Sequence, residues 1–202
     1  MIVIVEPHPD DVLLSCSHLL ATDAPKLIVS VGKNDSAGSA RLADWYPGVQ
    51  AVAFNLPNIP WKDKSDANEV KKAADPLSFV REKLHARPDY AGMYEVVRSA
   101  LLTYSQNTDV FVPVGLCHPY YILVREVCDE VFPKASHYAD MPYAELGWGK
   151  AIEQAYRMGD FESRLPDPRR LEAYEAVYPT ERSLLGLYRK ELQANERVYV
   201  AK

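Results

Sequence analysis

The chain has 202 residues, 48% of them hydrophobic and 25% charged, with a formal net charge of −5. That length and balance suit one globular domain whose core stands without disulfides or structural metals, and the negative charge argues against a general nucleic-acid binder, which wants a basic face. Three cysteines, Cys16, Cys117 and Cys128, show no CxxC spacing, which argues against a disulfide framework or a four-cysteine zinc site. No apolar run approaches membrane-spanning length, and Met1 leads straight into a strand pattern without a basic, apolar leader. The expected setting is a reducing cytoplasm.

Ile2–Val5 reads as a buried strand, and Lys26–Val31 is the next apolar, β-branched run. Between them Val12–Ala21 has helical length and buries Leu13, Leu14, Cys16 and Leu20, which makes a βαβ unit with parallel strands. Ser39–Tyr46 is a short helix, followed by a strand at Gln50–Asn55. Residues 56–75 are polar and proline-punctuated, and read as a long loop. Leu77–His85 and Tyr90–Ser105 are helical, Asp109–Val114 is a fourth strand, Tyr120–Val131 a helix, and His137–Ala139 a short fifth strand. From residue 143 onward the pattern is mostly helical, at Gly149–Met158, Pro168–Val177 and Glu181–Asn195.

Strands alternating with helices predict a single α/β domain over residues 1–202, a Rossmann-like open, mostly parallel sheet with helices on both faces. In the common strand order 3-2-1-4-5, the first and fourth strands are neighbours and the winding reverses between them. Ligands bind outside the carboxyl ends of strands at such a switch point. The loop after the first strand holds His8-Pro9-Asp10-Asp11, and the loop after the fourth holds Gly115-Leu116-Cys117-His118-Pro119. Two histidine-bearing loops are therefore expected to converge.

A histidine with two carboxylates can hold a divalent metal and keep one carboxylate for proton transfer. Catalytic zinc keeps three protein ligands and one open position, and lowers the pKa of coordinated water to roughly 7. A nearby carboxylate then takes the water proton and delivers it to the leaving group. The bland alternative is that Asp10 or Asp11 only caps the following helix. His8 beside both aspartates at a strand's carboxyl end favours a site.

The stretch PHPDDVLLSC (residues 7–16) resembles the first motif of the PIG-L/LmbE-like N-deacetylase family. Arg41-Leu42-Ala43-Asp44, Asn55-Leu56-Pro57-Asn58, VPVGLCHPYYILVREV, YADMPYAE and YPTE are similar to further segments of that family, so the resemblance spans most of the chain. It implies a Rossmann-like zinc-dependent hydrolase that removes acetyl groups from N-acetylglucosamine-type amides. By position, it implies His8 and Asp11 as metal ligands, Asp10 as general base and His118 as oxyanion stabiliser or third ligand, with Zn2+ or another divalent ion as cofactor. Arg41, Tyr121 and Tyr143 are the implied substrate-binding residues. The second motif departs from the family's His-x-Asp-His, for here it reads His118-Pro119-Tyr120-Tyr121. Tyr121 stands where the metal-binding histidine is expected, so the third ligand is missing, is His118, or is Tyr121 as phenolate.

The reading at this level is an amide hydrolase acting on a small, N-acylated polar substrate. Its alternative is a diverged binding module that keeps the fold but not a full zinc site. His18, His85 and His137 read as solvated or structural residues, and Cys117 as a small buried hydrophobe or a soft ligand beside His118.

Overall fold

The computed structural model describes residues 1–32, 36–56, 69–104, 109–116, 118–156, 158–179 and 182–200. Most of the expected 56–75 loop, and Cys117, lie outside the described residues; residues 69–72 form one helical turn.

A seven-stranded sheet runs in the order β3-β2-β1-β4-β5-β7-β6. β1 (Ile2–Glu6), β2 (Lys26–Gly32), β3 (Val49–Leu56), β4 (Asp109–Pro113) and β5 (Ser136–Tyr138) are parallel neighbours. Val3, Ile4 and Val5 are successive residues that point to alternate faces, and all are buried. Both faces of β1 are therefore covered, which is why the strand is a continuous apolar run. The arrangement is an α/β, Rossmann-like fold, and the 3-2-1-4-5 order places the switch point between β1 and β4.

Helices α1 (Asp11–Ser15), α2 (Ser17–Leu20), α3 (Ser36–Trp45), α4 (Pro76–His85), α5 (Tyr90–Leu101) and α6 (Pro119–Val131) fill the crossovers. They are followed by α7 (Gly147–Ala155), α8 (Arg170–Val177) and α9 (Arg182–Leu187). α8 packs against α1 and α3, while α4 and α5 pack against α6.

The C-terminal part differs from its helical expectation. β7 (Glu196–Tyr199) pairs antiparallel with β5, and β6 (Glu162–Arg164) pairs antiparallel with β7, so this part extends the sheet. The expected helix over Glu181–Asn195 is divided into α9 and a 3-10 turn at Glu191–Gln193.

The expected helix over Val12–Ala21 breaks at Cys16, whose φ of −148° and ψ of 38° are not helical. The break lets a buried carboxylate reach the start of α2. Glu196 accepts hydrogen bonds from the backbone N–H groups of Ser17 at 2.9 Å and His18 at 3.0 Å. It also takes the Ser17 hydroxyl at 2.5 Å and pairs with Arg170 at 3.0 Å. Negative charge at a helix N-terminus meets unpaired N–H groups there.

Candidate functional site

The first loop leaves β1 alongside the end of β2. Gly32 donates its N–H to the Pro7 carbonyl at 2.8 Å. A Cβ at Gly32 would lie 2.6 Å from that carbonyl oxygen and 3.2 Å from the Tyr120 ring, so only glycine lets the loop approach this closely.

Neither aspartate caps α1. Asp10 sits at the N-cap position and makes no side-chain cap bond. The capping bond comes from Glu6, whose Oε2 accepts from Val12 N at 2.9 Å while its Oε1 takes the Ser30 hydroxyl at 2.5 Å. Both aspartates are thereby left for other partners. Asp10 Oδ2 accepts from the Tyr174 hydroxyl at 2.8 Å. Asp11 Oδ2 accepts from His8 N at 2.7 Å, and its Oδ1 accepts from the Tyr121 hydroxyl at 2.5 Å.

His8 Nδ1 lies 3.1 Å from the same Tyr121 oxygen. The single phenol proton points to Asp11, so the His8 contact is satisfied by a proton on Nδ1, an assignment made from hydrogen bonding. That leaves His8 Nε2 buried without a hydrogen-bond partner among the described residues. An unpaired buried polar atom costs about 1–3 kcal/mol, so the cluster is incomplete as it stands.

Burial pushes the Glu6 carboxyl up to about 8. Burial, then the negative charges of Asp10 and Glu6, push Asp11 well above the usual carboxylate range, against the hydrogen bonds from Tyr121 and His8 N. Three carboxylates packed this closely favour a proton or a cation between them.

The second loop follows β4. Gly115 has φ of +82°, and a Cβ there would lie 2.8 Å from Arg125 Cβ. Its N–H and that of Leu116 donate to Asp140 Oδ2 at 2.8 and 2.7 Å, which ties this loop to the segment after β5. His118 Nδ1 accepts from Tyr120 N at 3.2 Å and so caps α6, with Pro119 as the first helical residue. Burial, with the charge of His8 behind it, pulls the His118 imidazole down to about 3. It is neutral at physiological pH. Because Nδ1 accepts, its proton sits on Nε2.

The two loops meet as expected: the His8 ring lies 5.9 Å from His118 and 5.2 Å from Tyr121 between centroids. Tyr143 packs edge-on against Tyr121 at 5.7 Å. Arg41 donates to the Ala176 carbonyl at 3.4 Å, on the helix that also carries Tyr174.

The expected ligand set His8, Asp11 and His118 is not assembled, for among the described residues no three His, Cys, Asp or Glu side chains are placed to hold one metal ion. The physical reason is the cap: the Nδ1 lone pair of His118 is engaged by the backbone of its own helix. The donors that do converge are His8, Asp11 and Tyr121, a nitrogen and two oxygens of types that hold first-row metals. With Glu6, Asp10 and Asp11 crowded around these donors, the cluster fits a cation.

Of the histidines read as solvated or structural, His18 bonds Glu196 at 2.5 Å, His85 bonds Glu126 at 3.0 Å and His137 bonds Asp129 at 3.0 Å. Sequence reasoning missed Glu6, Tyr174 and Asp140. Glu6 carried a usable signal, being a charged residue at the end of an otherwise apolar strand directly before the motif.

No family model, curated protein or solved structure matches the chain.

Proposed function

We propose that the protein is a metal-dependent amide hydrolase that removes an acyl group, acetyl in the first instance, from the nitrogen of a small polar substrate. The substrate is an N-acetylglucosamine-type sugar or conjugate. The observation that carries this reading is the meeting of His8, Asp11 and the Tyr121 hydroxyl beside Asp10 at the carboxyl ends of β1 and β4. The resemblance of residues 7–16 to the PIG-L/LmbE first motif supports it.

His8 and Asp11 would hold the ion, zinc or another divalent metal, which when bound polarises an acyl carbonyl and makes hydroxide available at neutral pH. Asp10, held by Tyr174, takes the proton of the attacking water and returns it to the departing amine. His118 is a neutral Nε2–H donor, suited to an acyl oxygen as negative charge develops on it. Tyr143, beside Tyr121, forms one wall for the substrate. A cytoplasmic setting belongs to the same proposal; among the described residues no helix is long and apolar enough to cross a membrane.

Amine release from a panel of N-acetylated amino sugars and their conjugates tests the reading. We expect release that drops by roughly a hundredfold or more in Asp10→Asn. Release that is unchanged in Asp10→Asn would remove the assigned base and the mechanism with it.

A second reading is favoured by the Tyr121 proton, which satisfies Asp11 without any ion. On that reading the crevice binds an N-acylated ligand and does not hydrolyse it. Binding of such a ligand without amine release, by metal-free protein, would favour it.

A further inference from the structure

Three donor groups surround one hydroxyl proton. The Tyr121 oxygen lies 2.5 Å from Asp11 Oδ1 and 3.1 Å from His8 Nδ1, and that nitrogen lies 3.9 Å from Asp11 Oδ2. His118 is turned to another task, accepting from Tyr120 N at the start of α6. We propose that Tyr121, bound as phenolate, is the third metal donor of the site. The inference rests on the metal-dependent reading above and names the residue that completes it.

Loading breaks the Tyr121 O–H bond and forms an oxygen–metal bond, with the proton passing to solvent. The His8 proton moves from Nδ1 to Nε2, so the imidazole remains neutral while Nδ1 becomes a donor. The charge count then differs from that of a set with two histidines and one carboxylate. A divalent ion with Asp11 and a Tyr121 phenolate is neutral, whereas the two-histidine set leaves a charge of +1. A trivalent ion restores +1 here. Carboxylate and phenolate oxygens are hard donors, and Glu6 lies close enough to act on Asp11 electrostatically, as does Asp10. The set therefore accepts ferric iron as well as zinc.

The test titrates chelator-treated protein with ferric nitrilotriacetate and, separately, with zinc sulfate. The expected result is a visible tyrosinate-to-iron charge-transfer band that saturates at one equivalent, and a near-ultraviolet tyrosinate difference band with zinc. Tyr121→Phe loses both bands and weakens zinc binding by more than the roughly tenfold that removal of an outer partner costs. Tyr121→His binds zinc without the tyrosinate band, which guards against misfolding of the phenylalanine variant, and His118→Ala keeps both bands. Stoichiometric metal binding with no tyrosinate band, unchanged in Tyr121→Phe, would overturn the assignment of Tyr121 and leave the metal-dependent reading standing. Failure of both ions to bind the wild-type protein would overturn both.

Discussion

Tyr121 and Asp11 are 110 positions apart in sequence, yet the hydroxyl of one donates to the carboxylate of the other at 2.5 Å. The contact joins the start of α1, after β1, to α6, after β4, across the point where the sheet reverses its winding. On the proposed reading it also sets what the site holds, because the phenol supplies an oxygen at the position where the resemblance implies an imidazole.

Tyr174 positions Asp10 through a hydrogen bond at 2.8 Å. Tyr174→Phe removes that bond and leaves the ring in place. The expected effect is a fall in kcat of roughly ten- to hundredfold, with KM little changed, because a reacting group loses its alignment. Stability falls by only about 1 kcal/mol. Steady-state kinetics beside urea unfolding checks it; an unchanged kcat would remove Tyr174 from the machinery.

Glu196 is fully buried, and its partners come from two helices: Ser17 and His18 in α2, and Arg170 in α8. Burial opposes its charge, but hydrogen bonds from His18 and Ser17 hold its carboxyl below the usual range. Glu196→Ala would leave the Arg170 guanidinium buried without its ion-pair partner, and is expected to cost about 3–5 kcal/mol. Equilibrium urea unfolding reads this directly, and a loss below about 1 kcal/mol would mean that the network contributes little.

Asp140 makes the stability pH-dependent in the opposite direction from a salt-bridged acid. Burial, working against the N–H groups of Leu116 and Gly115, pushes its carboxyl up to about 7 from 3.8. Between those values the unfolded chain has given up a proton that the folded protein keeps, so stability from this group is full below about pH 4 and falls as pH rises to about 7. Asp140→Asn retains an oxygen to accept from Gly115 and Leu116 and removes the titration. The unfolding free energy of the variant relative to wild type should therefore rise between pH 4 and pH 7. A flat difference across that range would show that Asp140 is ionised in the folded protein.

The five parallel strands were legible because each is a short apolar run bounded by helical segments, and the right-handed βαβ rule leaves few ways to order them. β6 and β7 were not, since Glu162–Arg164 is exposed and polar and Glu196–Tyr199 is short. Their pairing is with each other and with β5, a tertiary fact that no local pattern carries. The same holds for the site. His8, Asp10 and Asp11 are contiguous and announce themselves. Tyr174 comes from α8 and Asp140 from the turn after β5, and only the fold brings them to the two loops. The cap supplied by Glu6 could not be read either, because sequence spacing alone assigns that task to Asp10 or Asp11.

The most direct test of the account is the metal content of the purified wild-type chain, measured by elemental analysis after equilibration with zinc and removal of excess by dialysis. The account predicts one equivalent per chain, lost in His8→Ala and in Asp11→Ala. A wild-type chain that retains no metal, or that retains the same amount in both variants, would contradict it.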